Sequence, residues 1–270
     1  MNIHSTFTSR PLERVLSTVL SVTASAAFWA LSGNVYAAAI GVNFHASASP
    51  ALLSPTDAAG AAPFSQTNFN NIPAFTPPLP LVDNSGTPTT ATLSISQGSF
   101  SFSSDSSDAD EQMNRQGVFS TGTLSFTINN IPYANYSLIV YDFNNGTGGA
   151  VQRITAGGAT FYSSSPSVFA PGYFDRNPAT PFIYTLATST NPAAPTPNSN
   201  YVVFTGLTGL TQNVTAARVP PGSTGFEGVA IGGFQIVETV PEPSTGAMLL
   251  GGLGLLSGFR RFRSAVDCPK

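Results

Sequence analysis

The chain has 270 residues, and 9% of them are charged, well below the roughly 25% that is usual in soluble globular domains. Between residues 40 and 240 there are ten acidic residues, four arginines and no lysine. Phosphate recognition needs clustered lysine and arginine, so the composition argues against nucleic acid as a partner. The single cysteine, Cys268, excludes a disulfide within the chain.

Residues 1–39 have the features of a secretory signal peptide. Arg10 and Arg14 precede a charge-free apolar run, and small residues occupy every position from Ala37 to Ala39. This order is typical of a signal helix that signal peptidase removes. Cleavage is expected after Ala37 or after Ala39. An uncleaved membrane anchor is the alternative, and the polar sequence that follows favours cleavage.

The body of the chain has the pattern of short strands. Leu124, Phe126 and Ile128 alternate with polar residues, as in a half-buried strand. No segment between 40 and 240 shows a sustained helical period. The candidate strands cover residues 91–96, 98–103, 117–128, 136–143, 152–156, 160–163, 182–187, 201–206, 212–219 and 229–238. Turn residues separate them, and residues 191–198 form a proline-rich loop. The sequence predicts an all-β ectodomain at residues 40–238, an antiparallel β-sandwich.

Residues 103–111 are rich in serine and in acidic side chains, and we expect them to form a surface loop. Calcium binds carboxylate and carbonyl oxygens. The loop therefore offers a candidate calcium site, although it lacks the residue order and the glycine of an EF-hand. A solvated loop without metal is the alternative. The four carboxylates are those of Asp105, Asp108, Asp110 and Glu111.

Two aromatic residues are the best candidates for contact with a glycan. Tyr173 and Phe174 stand in a segment that also contains proline, glycine and a charged pair. Aromatic rings present a large apolar face, on which a sugar ring can stack. The only tryptophan, Trp29, lies in the predicted signal peptide, so the mature domain has none.

The residues that most enzymes use are scarce. After signal cleavage the one histidine is His45, and the body has no cysteine or lysine, so most nucleophile–base pairs and a His/Cys zinc site are unavailable. A glycosidase needs only two carboxylates. Asp142 and Glu227 each flank a predicted strand, but they are interpreted more simply as a hairpin and a loop residue. We expect a non-enzymatic domain, with a carboxylate-dependent carbohydrate-active enzyme as an alternative.

The C-terminal end has three consecutive parts. Pro241-Glu242-Pro243 interrupts any strand, a charge-free run follows at 246–259, and arginines close it at 260–263. As a helix these 14 residues would extend about 21 Å, less than the roughly 30 Å of a hydrocarbon core. The sequence predicts a short C-terminal transmembrane helix with the arginines on the cytoplasmic side. An ordinary C-terminal anchor is the alternative.

This end resembles the PEP-CTERM sorting signal of Gram-negative bacteria that make exopolysaccharide, at residues 239–263, and residues 264–270 would form a tail. The resemblance implies processing by an exosortase-type membrane protease near Pro241, Glu242 and Pro243. It also implies residence in the inner membrane during sorting, followed by delivery to the cell surface or the extracellular matrix.

Several stretches of the body look like bacterial surface domains of the galactose-binding, jelly-roll type. They are residues 40–44, 53–60, 64–72, 200–207 and 232–237. That pattern has a tryptophan where Phe69 stands here. The resemblance implies a jelly-roll arrangement and carbohydrate binding.

Together these features predict an exported, non-enzymatic surface or matrix protein associated with exopolysaccharide or biofilm. Its expected partners are signal peptidase, the exosortase-type protease, an extracellular polysaccharide, and the membrane through the C-terminal segment before processing. Apart from calcium, no cofactor is expected. A purely structural matrix protein without a ligand remains open beside the enzyme alternative.

Overall fold

The structure is a computed structural model, and it describes residues 37–45, 52–73, 79–97, 99–100, 108–142, 150–164, 182–219 and 228–239. The chain divides into two compact units, Met1–Ala37 and Ala38–Lys270. All the elements given below belong to the second unit. The predicted signal helix and the sorting segment from 240 onward lie outside the described residues.

Fourteen strands and one helix form within the described ranges. In chain order they are β1 (Ala39–His45), β2 (Asn70–Pro73), β3 (Leu79–Val82), β4 (Pro88–Gln97), β5 (Ser99–Phe100), α1 (Ala109–Arg115), β6 (Val118–Ser120), β7 (Thr123–Asn129), β8 (Asn135–Asp142), β9 (Val151–Ala156), β10 (Ala159–Ser164), β11 (Thr196–Pro197), β12 (Tyr201–Thr208), β13 (Gln212–Arg218) and β14 (Val229–Glu238).

The strands form two seven-stranded sheets, which confirms the predicted all-β sandwich. Sheet 1 has the order β12-β8-β14-β1-β2, with β6 paired to β14 and β5 paired to β6. Sheet 2 has the order β11-β10-β9-β13-β7-β4-β3. Most pairs are antiparallel, as predicted, but β1–β2 and β10–β11 are parallel.

The main core lies between the sheets. In sheet 2, Leu124, Phe126 and Ile128 of β7 are buried while the residues between them are partly exposed, so the alternation predicted for this strand is confirmed. The rings of Phe126 and Phe234 stack at a centroid separation of 5.0 Å across the two sheets. Phe44 of β1 packs against both rings. Burying an aromatic side chain of this size contributes about 1.5–3 kcal/mol.

Sheet 1 is covered on its outer face as well. Every residue of β1 is buried, and a second apolar cluster lies on the face opposite the main core. Residues 52–69 and α1 form this outer layer, and Phe69, Met113 and Ile139 of β8 belong to the same buried cluster. Phe69 is therefore a core residue, 6% exposed. Strands buried on both faces lose the polar–apolar alternation by which a strand is recognised in sequence.

Three predictions about local structure are wrong. The expected strand at 117–128 is two strands in different sheets, because Ser120 Oγ accepts a 3.1 Å hydrogen bond from the Gly122 N–H and turns the chain. The expected loop at 103–111 becomes helical from Ala109. The expected strand at 182–187 forms only one isolated bridge, between Leu186 and Tyr201.

The segment 182–187 fails to form a strand because an asparagine side chain takes its hydrogen bonds. The Asn200 side chain accepts from the Thr185 N–H at 2.9 Å and donates to the Ile183 carbonyl at 2.8 Å. These bonds replace a regular ladder. Two strands that the sequence did not predict, β2 and β3, contain prolines, which are depleted in strands. The proline-rich stretch at 191–198 likewise includes β11.

Candidate functional site

Three of the four predicted calcium ligands, Asp108, Asp110 and Glu111, lie at the start of α1. Asp108 is the N-cap, and its Oδ1 accepts from the N–H groups of Asp110 and Glu111 at 2.9 and 3.0 Å. Such a cap satisfies donors that have no partner within the helix. Glu111 is 6% exposed, and Asp105 lies outside the described residues. In the part of the chain described here, no group of three or more His, Cys, Asp or Glu side chains could hold a metal ion.

Asp110 joins α1 to the rest of the outer layer. Its Oδ1 accepts hydrogen bonds from the Gly60 N–H at 2.7 Å and from the Tyr184 hydroxyl at 2.9 Å. Burial raises the pKa of the Asp110 carboxyl, and these two hydrogen bonds oppose the rise. Asn114 donates to the same tyrosine hydroxyl at 3.1 Å. Hydrogen bonds among Gly60, Asp110, Asn114 and Tyr184 therefore connect residues 52–69, helix α1 and the segment before β11.

Three tyrosines form the aromatic part of this layer. The ring centroids of Tyr141, Tyr184 and Tyr201 lie between 5.4 and 6.1 Å apart. Tyr141 donates its hydroxyl hydrogen to Gln235 Oε1 and accepts from the Ala61 N–H at 3.1 Å. Tyr141 and Tyr201 are buried and Tyr184 is partly buried, so the three rings stabilise the attachment of the outer layer.

A second polar group lies between the sheets, at the end of the sandwich where β8 and β10 finish. Asp142 continues the inward-facing series of β8 and is fully buried. Ser163 Oγ of β10 donates to Asp142 Oδ2 at 2.5 Å, and Gln152 Nε2 of β9 donates to the same oxygen at 3.4 Å. Gln152 Oε1 accepts from the Ala230 N–H of β14 at 3.0 Å. We call Asp142, Gln152 and Ser163 the inter-sheet cluster.

The carboxyl of Asp142 is in an unfavourable place for a charge. Burial raises its pKa to about 7, against the opposing effect of the Ser163 hydrogen bond. Its Oδ1 is buried and has no hydrogen-bond partner among the described residues. A carboxyl group with a raised pKa beside a hydroxyl is an arrangement that can accept and return a proton near neutral pH.

Several other predicted site residues fall in stretches that the structure does not describe. Glu227, Tyr173 and Phe174 lie outside the described residues, as do Pro241, Glu242 and Pro243. The simpler interpretation of Asp142 as a hairpin residue is incomplete, because its side chain connects the two sheets. Gln152 and Ser163 were not predicted; their only signal in the sequence is a polar residue at an inward position of a strand.

The two predicted cleavage positions at the N-terminus differ in structural context. Ala39 is the first residue of β1, is 4% exposed and pairs with Val237. Its carbonyl accepts from the Asn84 N–H at 2.7 Å, and the Ala38 carbonyl accepts from the Glu238 N–H at 2.8 Å. Ala38 and Ala39 are therefore part of the fold, whereas Ala37 precedes it.

Residues 239–264 match the family described as the PEP-CTERM protein-sorting motif. No curated protein matches the chain, and no solved structure does. The motif supports an exported protein that is directed to the cell surface and processed by exosortase. Within the described ranges, no helix is long and apolar enough to cross a membrane.

Proposed function

We propose that the chain is a surface or matrix protein whose β-sandwich is released from its sorting segment by exosortase at residues 241–243. The observation that carries this proposal is the match of residues 239–264 to the sorting motif, which begins one residue after the end of β14 at Glu238. Cleavage there would leave both sheets complete. The inner membrane would hold the protein only until that cleavage.

Expression in a bacterium with an exosortase tests this step. The wild-type chain should lose its C-terminal segment and appear outside the cell. Glu242→Ala should keep the segment and remain in the membrane fraction. Ser244→Ala, just after Pro243, should behave as wild type. Equal processing of Glu242→Ala, or a chain in the cytoplasm with both termini intact, would contradict the proposal.

Signal peptidase cleavage is proposed after Ala37. Cleavage after Ala39 would remove the residue that pairs with Val237 and its hydrogen bond to Asn84. Cleavage after Ala37 keeps both Ala38 and Ala39 in the fold. The mature protein should therefore begin with Ala38, and an N-terminus at residue 40 in the sequenced protein would show that the other position is used.

For the displayed domain we propose binding to exopolysaccharide in the matrix or biofilm, with Tyr173 and Phe174 as the contacting rings. The support is the aromatic pair in a loop-like sequence and the resemblance to jelly-roll surface domains. The mature wild-type protein should bind a panel of polysaccharides, and the Tyr173→Ala/Phe174→Ala double variant should lose that binding. Tyr162→Ala in β10 is the matched aromatic control. A wild-type protein that binds none of them favours the structural alternative without a ligand.

The domain is proposed to have no hydrolytic activity on carbohydrates. Asp142, one of the two candidate carboxylates, is fully buried, and a glycosidase carboxylate must touch the scissile bond. The purified protein should leave the same polysaccharides intact. Hydrolysis that Asp142→Asn or Glu227→Gln abolishes would establish the enzyme alternative instead.

A further inference from the structure

The inter-sheet cluster places a hydroxyl, a carboxamide and a carboxyl together in a site closed to water. Ser163 and Gln152 are directly paired on β10 and β9, so their side chains point to the same face and are neighbours. Asp142 reaches both from the opposite sheet. All three side chains are 1% exposed or less.

The cluster contains the groups that an acyl transfer requires. The Ser163 hydroxyl is the nucleophile, and its hydrogen bond to Asp142 Oδ2 aims its proton at a base. The carboxamide of Gln152 is the electrophile. The Ala230 N–H, 3.0 Å from Gln152 Oε1, stabilises the negative charge that would develop on that oxygen. The same Asp142 oxygen is also the acceptor for Gln152 Nε2, the nitrogen that would leave.

We propose that Ser163 and Gln152 form a self-catalysed ester cross-link between β10 and β9, with Asp142 carrying the proton. The Ser163 hydroxyl passes its proton to Asp142 as Oγ bonds to Gln152 Cδ. The bond between Cδ and Nε2 then breaks, Asp142 returns the proton to the nitrogen, and ammonia leaves. Asp142 ends in its starting state, and no oxidant or other reactant is consumed.

Burial explains why the reaction would run at this site and why its product would last. Because nucleophile and electrophile are paired across neighbouring strands and share Asp142 as a partner, no bimolecular encounter is needed. Desolvation makes the Asp142 carboxylate a stronger base. Exclusion of water protects the ester from hydrolysis, while the released ammonia is lost to solvent and cannot reverse the step. The bond would join neighbouring strands of a domain that has no disulfide.

Peptide mass spectrometry of the purified, denatured protein tests the proposal directly. Trypsin cuts after Arg115, Arg153 and Arg176, which places Gln152 and Ser163 in two different peptides, 116–153 and 154–176. The cross-linked chain should yield these peptides as one species, lighter than their sum by one ammonia. Mild alkali should separate them and leave glutamate at position 152.

Variants assign the bond to these groups. Ser163→Ala and Asp142→Asn should yield only separate peptides, Ser163→Thr should keep the joined species, and Ser164→Ala is the matched control for a neighbouring hydroxyl that donates to Thr196 instead. Circular dichroism checks that each variant folds. Separate peptides with an intact glutamine from the folded wild-type protein would overturn the proposal, as would a joined species in Ser163→Ala.

Discussion

The hydroxyl of Tyr184 donates a 2.9 Å hydrogen bond to Asp110 Oδ1, and it is a main link between the segment before β11 and helix α1. Asp110 is mostly buried, and its other bond to Oδ1 comes from the Gly60 N–H. The pair therefore fixes the outer layer of sheet 1 at a point where a carboxylate has little contact with water.

Removing this hydroxyl should destabilise the protein. Tyr184→Phe leaves Asp110 and Asn114 each without one hydrogen bond, and we expect a loss of about 1–3 kcal/mol in the free energy of unfolding, measured by urea denaturation. Tyr133→Phe is the matched control, because the Tyr133 hydroxyl is buried without a partner among the described residues, so its removal should be neutral or stabilising. Equal effects of the two changes would show that the Asp110 bond contributes little.

Stability should fall with rising pH because of Asp142. Its folded pKa of about 7 lies above the unfolded value of about 3.9, so the folded state binds more protons between these values. The stabilisation is complete below about pH 4 and is lost as the pH rises to about 7, by a few kcal/mol at most. Urea denaturation at several pH values gives the free energy of unfolding as a function of pH. The Asp142→Asn variant should show a smaller decrease of this free energy between about pH 4 and pH 7 than the wild type.

Asp83→Asn is the control for this prediction, because the pKa of Asp83 is shifted in the opposite direction to that of Asp142. Slight burial raises the pKa of the Asp83 carboxyl, but hydrogen bonds from Ser85 and Thr87 outweigh this and lower it. Asp83 therefore contributes stability that is present above its unfolded pKa and is lost as the pH falls through the folded value. The Asp83→Asn variant should therefore show the same change in the free energy of unfolding between about pH 4 and pH 7 as the wild type. An identical slope in wild type and Asp142→Asn would contradict the prediction.

A methyl group at position 232 should displace α1. A Cβ on Gly232 would meet the backbone carbonyl of Met113, which cannot rotate away, whereas a Cβ on Gly122 would meet only the Ser120 hydroxyl at 4.0 Å. Gly232→Ala should cost about 1–3 kcal/mol or more, and Gly122→Ala should change stability little. Thermal melts of the two variants make the comparison, and unchanged melting of Gly232→Ala would mean that the helix can shift at low cost.

Calcium binding at the acidic segment can be separated from helix capping. Asp108→Ala should cost about 1 kcal/mol through loss of the cap alone, whereas Asp108→Ser keeps a capping oxygen and removes the carboxylate. If the predicted site binds calcium, added calcium raises the melting temperature of the wild type and not of Asp108→Ser. Identical melting temperatures of the wild type with calcium and with a chelator would show that the predicted calcium site is wrong.

The extent to which the sequence predicts this structure follows from how each strand is buried. β7 has one solvent face, so its alternating side chains identify it; β14 was also located, at residues 229–238. The change of sheet at Gly122 was not predictable, because apolar residues lie on both sides of a single turn. The inter-sheet cluster was not predicted for a different reason. Asp142, Gln152 and Ser163 become neighbours only when the two sheets pack together, and no local sequence pattern indicates that contact.

The position of β14 determines how the domain would resist traction through its C-terminus. β14 is the last strand before the sorting segment, and it lies inside sheet 1 between β8 and β1. Ala39 pairs with Val237, so both ends of the domain leave from the same side. A pull on residue 239 would act along β14 and would have to shear the hydrogen bonds to two neighbours at once, instead of peeling away an edge strand one bond at a time.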